Sequence, residues 1–79
     1  MTQQMEYIKT FFSGLGRADK QSILFNSNLT DREIDLLTKR FISGFSLKEI
    51  ANEYSIEEDT VNKKQLKAVK KLYSFLKSS

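Results

Sequence analysis

The chain has 79 residues and a net charge of +3, enough for one domain with a modest core. It contains no cysteine and no histidine, which removes disulfides, thiolate chemistry, imidazole bases and the common zinc sites together. No apolar run approaches the roughly 18 residues that span a bilayer, and the opening Met1-Thr2-Gln3-Gln4-Met5-Glu6 lacks the basic and apolar regions of a signal peptide. A cytoplasmic protein with no membrane partner is the expectation.

Proline is absent and glycine occurs only at Gly14, Gly16 and Gly44, so few positions interrupt helical stretches. Met5, Ile8, Phe11, Phe12 and Leu15 recur at spacings of three and four, predicting an amphipathic helix that ends near Gly14 to Gly16. A second, shorter helix over about 18–25 carries Ile23, Leu24 and Phe25 and gives way to the turn-forming Asn26-Ser27-Asn28. Leu29-Thr30-Asp31-Arg32-Glu33-Ile34 then places a hydroxyl at a helix N-cap, a carboxylate three residues on to close a capping box, and two apolar residues that can staple across it. Phe45-Ser46-Leu47-Lys48-Glu49-Ile50 repeats the arrangement in full. Ile56-Glu57-Glu58-Asp59-Thr60-Val61 keeps the staple but puts Glu57 where Ser or Asp would cap best. These starts predict helices over about 31–43, 47–54 and 57–77, and no strand-like alternation competes with them. The fold class is all-α, with about five helices: an N-terminal helical extension over 1–28 and a segment over 29–79 that belong to one compact domain.

An eight-residue helix, a tight turn and a second helix form a helix-turn-helix, which makes demands on particular positions. Ala51 is small where the two axes must approach, Ile50 and Tyr54 lie on its core side, Ile56 plugs the turn, and Val61 closes the contact. Ser55 occupies the turn position where glycine is usual, because the backbone there takes positive φ, at a cost of about 1 kcal/mol. Leu29-Thr30-Asp31-Arg32-Glu33, followed by Gly44-Phe45-Ser46-Leu47-Lys48-Glu49-Ile50-Ala51, Ile56 and Thr60-Val61, resembles the helix-turn-helix shared by the LuxR family and region 4 of bacterial sigma factors. The likeness covers roughly 29–76 without insertion. It implies promoter DNA as a partner and, on the sigma side, RNA polymerase or another transcription factor.

The charge is one-sided. Residues 1–55 carry seven basic and seven acidic side chains, whereas from Thr60 onward there are six lysines and no acid. Such clustering is the footprint of a protein that meets a polyanion, although a merely solvated helix face looks the same on charge alone. At about 100° per residue, Val61, Gln65, Ala68, Val69, Leu72 and Leu76 fall on one side of the last helix, and Lys63, Lys67, Lys70 and Ser74 on the other. The start of such a helix enters the major groove, making Asp59, Thr60, Asn62, Lys63 and Lys64 the candidate base or near-base contacts, with Lys67, Lys70 and Lys71 placed for phosphates. Asn62 stands out because an amide can pair with adenine twice. Ser46 and Lys48 start the preceding helix, where free backbone amides can hold a phosphate.

Three features pull the other way. Glu57, Glu58 and Asp59 repel phosphates unless they point away or accept from cytosine. Gln65 sits at the centre of the core stripe, so either it finds buried partners or the helix rotates to bury Leu66 instead. No arginine lies beyond Arg40, which favours phosphate-dominated binding over guanine reading. Leu66 and Tyr73 lie off the core stripe and form a candidate partner interface. The first two helices, with Phe11, Phe12 and Phe25, are expected to cover them in a monomer; otherwise a homodimer reading half-sites about one DNA turn apart becomes natural.

The leading expectation is a sequence-preferring DNA-binding transcription regulator that lays a lysine-rich recognition helix in the major groove, without cofactor or metal and with double-stranded DNA as partner. The alternatives on the same fold are a protein-interaction module, such as an RNA polymerase adaptor or an anti-factor, and the DNA-recognition part of a phage assembly. An enzyme is not expected, since the one tempting carboxylate pair, Asp31 and Asp35, has no nucleophile or metal partner near it in sequence.

Overall fold

Two capping boxes frame the middle of the chain. The Thr30 hydroxyl accepts from the Glu33 amide at 3.2 Å, while the Glu33 carboxylate accepts from the Thr30 amide at 2.9 Å. Ser46 and Glu49 do the same at 3.1 and 2.9 Å. Each box satisfies two of the amides that a helix start leaves without partners. In the computed structural model, which describes residues 2–78, the helices are α1 (Thr2–Ser13), α2 (Arg17–Phe25), α3 (Asp31–Phe41), α4 (Leu47–Tyr54) and α5 (Glu58–Ser78). No strand occurs among the described residues. None of these helices is long and apolar enough to cross a membrane.

The expected boundaries hold to within about three residues, and the differences have local causes. At the end of α3 the amides of Ile42 and Ser43 both turn back to the Thr38 carbonyl, Gly44 takes φ +78°, and the Phe45 amide reaches the Lys39 carbonyl at 2.8 Å. That closure ends α3 at Phe41, two residues early. Ser55 has φ 59° and ψ 42°, the left-handed conformation expected at the turn, and the Ile56 amide bonds back to the Ala51 carbonyl at 3.1 Å. The start of α5 has only its backbone bond, from the Val61 amide to the Glu57 carbonyl, consistent with the weak cap.

Packing divides into two clusters that meet along α3 and α5. Leu36, Ile50, Ala51 and Val61 form the smaller one, with Phe45, Leu47, Tyr54 and Ile56 around it; this is the helix-turn-helix contact. The larger cluster joins Ile8 and Phe12 of α1, Leu24 of α2, Leu37 of α3, and Ala68, Val69 and Leu72 of α5. The stripe read from the sequence is therefore the buried face of α5, with Leu76 half-buried at its end. Phe25, expected to help cover Leu66 and Tyr73, is instead 70% exposed, and Tyr73 is met by Tyr7 of α1, edge-on with ring centroids 5.1 Å apart. Phe11 stacks on Tyr7, and Phe12 is buried against Phe41. Leu66 keeps partial exposure.

Candidate nucleic-acid interface

Beside the apolar contact of the helix-turn-helix, a charged network also ties α4 to α3. Lys39 bonds Asp35 at 2.7 Å on its own helix and Glu53 of α4 at 2.8 Å, and its ammonium lies 5.3 Å from the centre of the Tyr54 ring. The Tyr54 hydroxyl donates to Asp35. Hydrogen bonds from Lys39 and Tyr54 hold the Asp35 carboxyl below its usual range. Burial and the Asp35 carboxylate push the Tyr54 phenol up to about 12, and the bonds to Asp35 and Glu53 raise Lys39 as well. Asp35 is thus occupied in holding two helices together.

Along α5 the lysines separate into two groups. Lys71 donates to Glu33 at 3.1 Å, tying α5 to the start of α3. Although partial burial pushes the Glu33 carboxyl up, the Thr30 amide and the Lys71 ammonium more than offset this and hold it below the ordinary glutamate value. Lys63, Lys64, Lys67 and Lys70 are exposed, and none pairs with a carboxylate of the described residues. Lys64 and Lys67 line an open cleft of about 660 Å³ together with the first turn of α3, Tyr54 and Lys71. Asp59 and Thr60 are exposed in the first turn of α5, beside Glu57 and Glu58. Ser46 and Lys48 are exposed at the start of α4, where the capping box consumes the amides of Ser46 and Glu49 and leaves those of Leu47 and Lys48 without an intrahelical acceptor. Of the candidate interface residues, Tyr73 and Leu66 are half-buried, and Lys71 is the lysine tied to a carboxylate among the described residues.

Gln65 finds hydrogen-bond partners, and the helix does not rotate. The side chain is 2% exposed; its carbonyl accepts from Arg40 Nε at 2.5 Å and its amide nitrogen donates to Asn62 Oδ1 at 3.3 Å. Arg40 also donates to the Phe45 carbonyl at 2.8 Å, so the bridge is anchored in the loop before α4. Sequence reasoning marked Gln65 as needing a partner but could not name Arg40, which lies 25 residues away.

The geometry is that of a helix-turn-helix whose second helix presents unpaired lysines. The family model for sigma-70, region 4 matches residues 27–74, more than half of the chain. The chain belongs to the sigma-70 region 4 family. Of the two resemblances read from the sequence, the match falls on the sigma side. No curated protein and no solved structure matches the chain. Region 4 domains bind DNA, contact RNA polymerase and are not enzymes. In this region 4 chain the matched span takes in α3, α4, most of α5 and nearly all of the α2–α3 connection, and leaves α1 and α2 outside.

Proposed function

We propose that this region 4 chain is a transcription regulator that binds duplex DNA through α5, laying the first half of that helix in the major groove. The observation that carries the reading is the set of four lysines, Lys63, Lys64, Lys67 and Lys70, exposed and without a carboxylate partner among the described residues on the second helix of a helix-turn-helix. An unpaired ammonium retains its full capacity to displace a counterion from a phosphate, whereas Lys71 must first part from Glu33. Asp59, Thr60, Asn62 and Lys63 lie where base edges would come, and Ser46 and Lys48 where the neighbouring phosphate would meet the first turn of α4. The protein acts in the cytoplasm as a monomer, since Tyr73 is met within the chain, and RNA polymerase is its second partner.

Binding to a duplex of mixed sequence, measured across a range of salt, tests the proposal. The logarithm of affinity should fall linearly with the logarithm of salt, and changing Lys63, Lys67 and Lys70 together to Ala should reduce the slope by about 2 to 3. No binding to any duplex at low ionic strength would overturn it. A second reading, a module that docks on RNA polymerase without touching DNA, is favoured by one feature, the exposed run Glu57, Glu58 and Asp59 at the end of α5 that should approach the groove. Under that reading the triple lysine variant would still be retained on immobilised polymerase and duplex binding would be absent.

A further inference from the structure

The bridge through Gln65 restricts more than its own burial. Arginine only donates, so the oxygen of the Gln65 amide must face Arg40, at 2.5 Å from its Nε. The Gln65 nitrogen is thereby turned to Asn62 and donates to Asn62 Oδ1. Asn62 must therefore offer its oxygen inward. Its own nitrogen has no partner among the described residues, and no buried side-chain nitrogen there lacks one, so the Asn62 amide group opens to solvent. A chain of three side chains thus converts the fixed polarity of a guanidinium into a fixed polarity at the surface of α5.

We propose that Arg40 and Gln65 are positioning residues that lock the Asn62 amide with its N–H groups outward, so that Asn62 selects a base edge bearing acceptors, guanine above adenine. The inference rests on the DNA-binding reading above. In the major groove guanine presents N7 and O6, both acceptors, whereas adenine sets the N6 donor beside N7. A free asparagine suits adenine because it can turn its oxygen to N6 and its nitrogen to N7. Here the oxygen is already engaged with Gln65, and an outward nitrogen opposite N6 sets donor against donor. The adenine pairing expected from the residue type alone gives way to an acceptor-reading role.

The test is selection of duplexes from a randomised pool by the full chain, followed by sequencing. The wild type should enrich guanine at one position, by roughly tenfold over adenine. Gln65→Glu places acceptors on both sides of the bridge; it keeps the Arg40 bond but forces Asn62 to turn its nitrogen inward. That variant should enrich adenine or cytosine at the same position, with the salt slope unchanged. Gln65→Leu, which removes the bridge, frees Asn62 to turn either way and should shift the preference from guanine toward adenine. Circular dichroism confirms that each variant is folded, and the wild-type enrichment alone decides the matter if neither variant folds. Enrichment of adenine or cytosine by the wild type, or the same preference in wild type and a folded Gln65→Glu, would overturn the relay while leaving DNA binding intact. Absence of any salt-dependent binding by the wild type overturns the underlying reading and the relay's role with it.

Discussion

At the scale of single residues, two positions carry measurable cost or gain that follows from their geometry. Ser55 pays for a left-handed backbone that glycine adopts without penalty, because its Cβ approaches the following carbonyl. Ser55→Gly should therefore raise stability by about 0.5 to 1 kcal/mol, read as a rise of several degrees in the thermal midpoint. Tyr54 is the other. Its phenol is pushed up to about 12 by burial and by Asp35, so the folded state holds this proton more tightly than the unfolded chain does. The associated stability is complete below pH of about 10 and is lost as the pH rises toward 12. Tyr54→Phe should cost about 1 kcal/mol or less at neutral pH, since the bond to Asp35 is near the surface, and it should flatten the alkaline loss of stability over that interval in a denaturant titration. Legibility at this scale was uneven. The positive φ at Ser55 was readable from its place in the turn, but the Tyr54 bond joins residues 19 apart and no spacing rule connects them.

At the scale of elements, the helix starts are the strongest local signal and the one with the least dependence on the rest of the molecule. A capping box involves residues three apart, so its chemistry is complete before any tertiary contact forms. Thr30→Ala and Ser46→Ala should each destabilise by about 1 kcal/mol, measured by urea unfolding with no change in the slope of the transition. The Thr30 variant should have a further consequence that the Ser46 variant lacks. Glu33 joins its cap to Lys71, so loosening the cap weakens the anchor between α3 and α5, whereas Glu49 has no such pairing to an ammonium. The face of α5 was equally legible, because a period of 3.6 sorts side chains by angle whatever they pack against. What the angle could not say is which lysine is taken. Lys67 and Lys71 differ by one turn, yet only Lys71 comes within reach of Glu33, and that depends on where α3 begins.

At the scale of the whole molecule, α1 and α2 share a core with the matched segment. Ile8, Phe12 and Leu24 lie in the same buried cluster as Leu37, Ala68, Val69 and Leu72. We infer that residues 1–28 and 29–79 form one cooperative unit. Phe12→Ala should cost about 3 to 5 kcal/mol, and it should lower the transition of α5 and of the N-terminal helices together in amide exchange or calorimetry. Separate transitions for the two segments would contradict this. The electrostatics are also a property of the assembly. Glu33, Asp35 and Glu49 all titrate below their ordinary values in the fold. A carboxyl whose folded pKa is depressed stabilises the protein above its unfolded pKa of about 4, and that contribution is lost as acid takes the pH down through the folded value. Stability should therefore be nearly flat from pH of about 6 to 8 and decline below about 5, monitored by thermal midpoints across pH.

The sequence by itself determined the helices, their caps, the left-handed turn and the buried face of α5, because each depends on residues within a few positions of one another or on the period of a single helix. The tertiary structure alone decided that Tyr7 rather than Phe25 covers Tyr73, that Lys71 is tied to Glu33 while its neighbours stay free, and that Arg40 reaches Gln65 to orient Asn62. Those outcomes depend on the angles at which separate helices cross. A crossing angle is the compromise of an entire core, so no local stretch of chain encodes it.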